Sequence, residues 1–390
     1  KNFGISGNTN ACIEMATGDY IALFDHDDLL HPSVLYENMK AICEQGADFI
    51  YTDELTFQGT TKNITVAHFK PDFAIDNLRS YNYICHFTVF QKSLLEKVGL
   101  FRSECDGSQD FDMVLRLTEQ AQKIVHIPKP LYFWRSHAQS VASSVGAKPY
   151  VIQAAKKAIG DHLKRVGLDG EVLDSIQPTI YRLKYAIKGE PLISILIPNK
   201  DHVSDLRKCI VSIQEKSSYP NYEIIVIENN SVEEKTFQYY QILERKPNIR
   251  VVQWNGKFNY SAINNFGYTF AKGEYILLLN NDTEVISADW LQEMLMYAQR
   301  GDVGAVGAKL YYPDNTVQHG GVVLGVGGVA AHLHCNRRRE DLGYMGRLVF
   351  VQDLSAVTAA CMMIPRKVWE ETGGLDESFE VAFNDVDFCL

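Results

Sequence analysis

The feature that most constrains this chain is that it repeats itself. At an offset of 255 residues, Phe3, Ser6, Asn10 and Ala16 fall on Phe258, Ser261, Asn265 and Ala271, Gly18-Asp19-Tyr20-Ile21 falls on Gly273-Glu274-Tyr275-Ile276, and Asp27 falls on Asp282. Further along the offset is 275: Gly99-Leu100 meets Gly374-Leu375, and Asp110-Phe111-Asp112 meets Asp385-Val386-Asp387. The second copy therefore carries 20 extra residues, expected near Gly320 to Gly346. Self-similarity over such a length means two copies of one folding unit rather than a single large core.

The second copy shows its opening in full. Pro191 to Tyr275 reads as a strand (Leu192 to Ile197), a helix (Val203 to Lys216), a strand (Tyr222 to Ile227), a turn at Asn229-Asn230-Ser231, a short strand near Val251, a helix (Tyr260 to Ala271) and a strand (Tyr275 to Leu279). Short β-branched runs alternating with helical spacing predict an α/β fold in which helices cover both faces of a largely parallel sheet. Residue 1 corresponds to Gly256, so the first copy lacks a counterpart of Pro191 to Asn255, and the second lacks the end that the first possesses. The expected division is a first module over 1–148, a helical linker over 149–190 and a second module over 191–390.

Composition narrows the partners. With 38 Lys and Arg against 48 Asp and Glu, the formal charge of -10 gives the whole chain no attraction for nucleic acid. Its eight cysteines stand singly, which suits reduced thiols of a cytoplasmic protein better than a disulfide or zinc framework. The apolar stretch Gly320 to Ala331 is too short to span a bilayer. His332, His334 and Cys335 read as loop residues, since two histidines at i, i+2 lack the spacing of a zinc site.

Two acidic constellations carry the chemistry. The strand Tyr20 to Phe24 runs into Asp25-His26-Asp27-Asp28, and the carboxyl ends of strands are where open α/β sheets bind ligands. Carboxylates gathered there repel one another, a cost most simply offset by a hard divalent cation, against the alternative of a solvated turn that caps the next helix. The second copy reads Asn280-Asn281-Asp282, keeping only the last acid. The other constellation is Gln109-Asp110-Phe111-Asp112, answered by Asn384-Asp385-Val386-Asp387. An acid at a helix start can be a cap alone, but one set beside a metal-bound diphosphate can also take a proton from an attacking hydroxyl.

Read together, Asp25-His26-Asp27-Asp28, Tyr51-Thr52-Asp53-Glu54, Phe69-Lys70-Pro71-Asp72, Asn82-Tyr83-Ile84, Gly107 to Asp112 and Leu131 to His137 closely resemble glycosyltransferase family 2 enzymes of O-antigen and cell-wall polysaccharide assembly. The second copy resembles the same family through Pro198, Glu228 to Ser231, Asn264-Asn265, Asn280 to Asp282, Gln318 to Gly321, Ser355 to Ala360 and Phe383 to Asp387. The resemblance implies two tandem GT-A modules of Rossmann-like build, the first N-terminally and the second C-terminally incomplete. It also implies a nucleotide-sugar donor, inversion at the anomeric carbon and a Mg2+ or Mn2+ cofactor. Carried over by position, Asp25, Asp27, His137 and Asp282 would hold metal, and Asp110 and Asp385 would be the bases. Asn10, Asp25, Pro198, Glu228, Asn229, Asn265 and Asn280 would meet the donor. The implied acceptor is a glycan or lipid-linked saccharide, met in the cytoplasm, with peripheral association at the inner face of the cell membrane part of the same expectation. Two rivals remain. A sugar-nucleotide pyrophosphorylase would need a Gly-rich basic loop where Pro198-Asn199-Lys200-Asp201-His202 stands, and one copy, the second by virtue of Asn280, could bind sugar or nucleotide without catalysis.

Overall fold

A computed structural model describes residues 2–136 and 149–390. It divides into two compact units, one made of residues 1–184 with 342–353, the other of 185–341 with 354–390.

In the first unit the strands are β1 (Tyr20–Leu23), β2 (Leu29–Leu30), β3 (Phe49–Phe57), β4 (Ile64–His68), β5 (Thr88–Gln91) and β6 (Ile124–Arg135). They form one sheet in the order β1-β5-β3-β6-β2, with β4 hung on β3. Helices α1 (Gly4–Met15), α2 (Val34–Gln45), α3 (Ile75–Ser80), α4 (Leu94–Val98), α5 (Gln109–Gln120) and α6 (Pro149–Arg165) complete it. The spacing of Val34 and Ala41 puts one face of α2 on a core with Ile50, Val89, Val125 and Tyr132. The expected linker helix is something else. α6 buries Val151, Ala155, Ala158, Ile159 and Leu163, its His162 Nδ1 meets Glu119 Oε1 of α5 at 2.7 Å, and it belongs to the first unit. Its apolar stripe was in the sequence, but a stripe does not say which core it joins. Strands β7 (Gly170–Asp174) and β8 (Tyr181–Tyr185) follow as a ribbon of two.

The second unit holds β9 (Ile193–Asn199), α7 (Val203–Lys216), β10 (Tyr222–Glu228), α8 (Glu234–Leu243), β11 (Ile249–Gln253), α9 (Tyr260–Tyr268), β12 (Tyr275–Leu279), α10 (Trp290–Ala298) and β13 (Val306–Gly307). Then come β14 (Leu310–Tyr311) paired with β15 (Val317–His319) and β16 (Val322–Leu324) paired with β17 (Ala330–His332), before β18 (Cys361–Pro365), α11 (Arg366–Thr372) and α12 (Asn384–Cys389). The sheet order is β11-β10-β9-β12-β18-β13. Along β9, Ile193, Ile195 and Ile197 face a core with α7, α8 and α10, while Leu196 faces the other with Ile225, Ile263 and Trp369. This two-sided burial is why the strand reads as an unbroken apolar run. Helix α8 lies where the sequence reading has only a turn, and Thr236, Tyr239, Tyr240 and Leu243, which recur at helical spacing, are its buried residues.

The two units share a motif. In one, β1 pairs antiparallel with β5 and β5 with β3; in the other, β12 pairs antiparallel with β18 and β18 with β13. They differ at the next position: β12 also has β9 as a parallel neighbour, whereas β1 ends its sheet.

Candidate functional site

In the first unit β1 delivers the acidic loop to the sheet's carboxyl edge, and β6 pins it. The Tyr132 hydroxyl donates to Asp28 Oδ2 at 2.5 Å, the Arg135 amide donates to Asp28 Oδ1 at 2.6 Å, and Arg135 Nε donates to the Asp27 carbonyl at 2.6 Å. Asp28 is buried, so this third carboxylate anchors the loop. Asp25 instead leaves 63% of its side chain exposed. The His86 imidazole beside it holds its carboxyl below the usual range, against the opposing effect of partial burial. His137, expected as a further metal ligand, lies outside the described residues.

Asp110 is the second residue of α5. Its Oδ2 accepts from Asn82 Nδ2 at 3.1 Å, and Asn82 Oδ1 in turn accepts from the Cys85 amide at 3.1 Å. Burial pushes the Asp110 carboxyl up, with the Asp25 charge adding to it and the nearby His86 opposing. Asp112, one turn face away, is fully buried between Arg102 and Arg116, with Arg116 Nη2 at 2.7 Å from its Oδ2. The two acids of one motif thus do different work: Asp110 is half-buried and held by a neutral amide, Asp112 locks α5 through Arg116 to the carbonyls of Val98 and Leu100.

Behind the acidic loop lies a buried charged network. Glu54 Oε2 meets Lys70 Nζ at 3.1 Å and Glu54 Oε1 meets His68 Nδ1 at 3.2 Å. Asp53 Oδ1 accepts from the Lys70 amide at 2.8 Å and lies 2.9 Å from His126 Nε2. His86 is stacked on Tyr132 with centroids 5.0 Å apart and an interplanar angle of 6°. Burial alone would push the His86 imidazole down, but the Cys85 sulfur and the Asp25 and Glu54 carboxylates hold it well above its ordinary value. Glu54, Cys85 and His86 offer ligand atoms within 4.8 Å of one another. The Lys70 ammonium already neutralises Glu54, so this cluster is built as an ion-pair network. The only signal for it in the sequence was the recurrence of acids, His and Lys in the segments around Asp53, Lys70 and Asn82.

In the second unit β9, β10 and β12 run parallel, so Asn199, Glu228 and Asn280 meet at one edge. The chain winds outward from β9 through β10 to β11 and then returns to the other side of β9 as β12, which makes this edge a topological switch point. Pro198 sits there, half-buried, and Asp282 is exposed in the loop after β12. Asn281 Nδ2 donates to Asn199 Oδ1 at 2.7 Å, Asn199 Nδ2 donates to the Tyr240 hydroxyl at 2.7 Å, and that hydroxyl donates to Glu228 Oε2 at 2.6 Å. Asp385 is the second residue of α12, its Oδ2 accepting from the Ala359 amide at 3.1 Å.

Several expected donor contacts have other work. Glu228 is 4% exposed, and its carboxylate also accepts from the Ser231 amide and hydroxyl at 2.5 and 2.6 Å. Asn229 is buried, its Nδ2 donating to the Gly256 carbonyl at 3.1 Å. Both help to close the loop after β10. Asn10 clasps the backbone of Phe101, donating to its carbonyl and accepting from its amide, each at 2.9 Å. Asn265 does the same to Leu375 at 2.8 and 2.9 Å, across Gly374, where a Cβ would meet its Oδ1 at 2.6 Å. These asparagines hold a helix to a turn. Asn280 presents its amide to the Ala360 carbonyl at 3.1 Å and its side chain stays at the edge.

As a donor set, Asp25 and Asp27 in the first unit are hard oxygens at a strand end, matching the preference of Mg2+ or Mn2+. Among the described residues no helix is long and apolar enough to cross a membrane.

The chain is 46% identical over 396 residues to "Uncharacterized protein y4gI" of Sinorhizobium fredii, covering 100% of this chain and 43% of that protein. It is 38% identical over 388 residues to the O-antigen biosynthesis protein RfbC of Myxococcus xanthus, covering 98% of this chain and 30% of that one. It thus spans less than half the length of either relative. Among solved structures, mannosyltransferase PcManGT from Pyrobaculum calidifontis in complex with GDP-Man and Mn2+ aligns at 14% identity and a TM-score of 0.38, covering 52% of each chain. GalNAc-T7 with UDP, GalNAc and Mn2+ aligns at 14% identity and a TM-score of 0.43, over 56% of this chain and 43% of that one. The profile of Glycosyl transferase family 2 matches residues 1–99 and 194–373, well over half of the sequence. The chain belongs to Glycosyl transferase family 2.

Proposed function

We propose that this chain forms part of an inverting, metal-dependent glycosyltransferase with two GT-A-type modules in tandem. It moves sugars from nucleotide-sugar donors to a growing surface polysaccharide or lipid-linked saccharide, at the cytoplasmic face of a membrane. The observation that carries the reading is that one short segment serves both acids of the first unit: Asn82 holds Asp110, and His86 faces Asp25 at 3.6 Å. Base and cation ligand are thereby braced by one segment, Asn82 to His86, which supports the relative placement an in-line displacement requires.

In this reading Asp25 and Asp27 hold a divalent cation in the first unit, Asp282 in the second, and His137 is a further ligand of the first. When held by these carboxylates, a divalent cation would supply positive charge against the leaving diphosphate. Asp110 takes the proton from the acceptor hydroxyl as that oxygen forms its bond to the anomeric carbon and the bond to the diphosphate breaks. Its raised pKa suits a base, because a more basic carboxylate drives the transfer further. Asp385 has the corresponding task in the second unit, held by the Ala359 amide. Pro198 and Asn280, at the carboxyl ends of β9 and β12, line the second donor crevice.

A second reading, in which the second unit binds donor or acceptor without catalysis, draws support from Asn280 standing where the first unit has Asp25. Release of nucleoside diphosphate from a panel of nucleotide sugars, with Mg2+ or Mn2+, tests both. Loss of release from different donors in Asp27→Ala and Asp282→Ala supports two active modules. Unchanged release in Asp282→Ala with complete loss in Asp27→Ala supports the binding-module reading, and full release in both sinks the metal assignment.

A further inference from the structure

The two units can be aligned residue by residue through their sheets. Leu23 pairs with Thr88 across β1 and β5, and its counterpart Leu278 pairs with Met362 across β12 and β18. Two residues earlier, His86 therefore corresponds to Ala360, just as Asp25 corresponds to Asn280. Across the next pairing, Val89 with Ile50 corresponds to Met363 with Val306, but β13 ends at Gly307 where β3 runs on through Glu54 to Phe57. A carboxylate and an imidazole in the first unit are thus an amide and a methyl group in the second, where β13 stops short of a counterpart to Glu54. Asp25 and His86 are absent together, as expected of groups that work as a pair: a buried charge kept without its partner is strongly destabilising.

The geometry of the set is that of a clamp. His86 Nε2 lies 3.6 Å from Asp25 Oδ2 and His86 Nδ1 lies 3.7 Å from Glu54 Oε2. The imidazole cannot swing away. One face is stacked on Tyr132, Trp134 lies 5.3 Å from it, and Lys70 Nζ grips the His86 carbonyl while bound to Glu54. Glu54 is in turn fixed by His68. Asp25, by contrast, is largely exposed, and an exposed side chain holds one rotamer only if something rigid selects it.

We propose that His86 is a positioning residue of the first unit's donor site: braced by Glu54 and Lys70, it sets the orientation of Asp25 toward the cation, a device the second unit does without. This rests on the reading of Asp25 as a cation ligand. Partners placed one step behind a metal ligand typically change metal affinity or activity by about 10- to 100-fold.

The test is Mn2+ binding by the full chain, followed by loss of the free-ion electron paramagnetic resonance signal, in an Asp282→Ala background so that the first unit reports. The variants are Asp25→Asn, His86→Ala, His86→Gln and the Asp25→Asn/His86→Ala pair, with thermal unfolding run alongside. The expected result is about 10- to 100-fold weaker binding in His86→Ala, a smaller loss in His86→Gln, which keeps a donor, and no further loss when His86→Ala is added to Asp25→Asn. Turnover of His86→Ala should also recover at saturating Mn2+, which a folding defect would not allow. Wild-type Mn2+ affinity in His86→Ala, or an equal loss with and without the Asp25 carboxylate, overturns the positioning role while the cation reading stands. Unchanged binding in Asp25→Asn removes the cation reading itself, and the proposal with it. If His86→Ala does not fold, the same comparisons are made with His86→Gln.

Discussion

Asn82 donates one hydrogen bond, 3.1 Å long, to the Asp110 carboxylate, while its own carbonyl is held by the Cys85 amide. The donor steadies the charged form of an acid whose burial favours the neutral one. Asp110→Asn should therefore lower transfer about 10²- to 10⁴-fold with little change in donor affinity, measured as kcat and KM for a donor that the wild type turns over. Wild-type kcat in Asp110→Asn would remove it as the base.

The same pair sets the pH dependence. A base must be deprotonated, so activity should fall as pH drops, and because the Asp110 pKa is raised, that fall should begin above the range of an ordinary aspartate. Removing the donor in Asn82→Ala disfavours the carboxylate further and should shift the acid limb upward. A pH–rate profile that does not move in Asn82→Ala contradicts this.

Asp112 should separate stability from chemistry. Its carboxylate is wedged between Arg102 and Arg116, and Asp112→Ala strands the buried Arg116 guanidinium, while Arg102 keeps Asp161 and Glu104. The expected loss is about 3–5 kcal/mol in urea unfolding of the first unit, far more than Asp110→Asn produces. Equal losses for the two would mean that the recurring motif is structural throughout.

Asn10→Ala and Asn265→Ala should each destabilise their unit by about 1–3 kcal/mol, since a backbone amide and carbonyl lose a paired partner. Donor affinity should stay within about twofold once folding is allowed for. A large specific loss of donor binding would restore the ligand role that the sequence suggested.

His319 gives the second unit an acid sensitivity. It is 2% exposed, and burial, with the His332 ring beside it, holds its pKa down to about 3. The unfolded chain binds a proton near the ordinary value of 6.5 and the folded one does not. Its contribution is thus complete above pH 6.5 and is lost as pH falls toward 3, at about 1.4 kcal/mol per pH unit. His319→Asn should flatten that slope in chemical denaturation between pH 6.5 and 5, and an unchanged slope would place the acid sensitivity elsewhere.

Elements whose pattern is set by burial were readable in advance. The runs of β9, β10 and β12 announce strands covered on both faces, and α7 and α9 follow from their spacing. The side chains at the site were harder to read, because a polar residue in a motif looks the same whether it meets a ligand or the backbone. Asn10 reaches a turn 91 residues away, and Glu228 spends its carboxylate on Ser231 and Tyr240. His86 is hidden for the opposite reason: its counterpart is Ala360, so the repeat does not mark it. Its partners lie on β3, on β6 and in the loop after β1, which only the folded sheet brings together.

The membership of residues 342–353 in the first unit bears on how the protein is made. Tyr344 donates to the Ala67 carbonyl and accepts from the Phe69 amide, while Asp353 accepts from the Asp76 amide and donates its own to Asn77. A ribosome that has finished residue 184 has therefore not yet supplied all of that unit. Its closing contacts, 275 to 277 residues apart in sequence, must wait until most of the second unit has emerged. Synthesis and folding order are uncoupled here, and the N-terminal half is the one that is completed late.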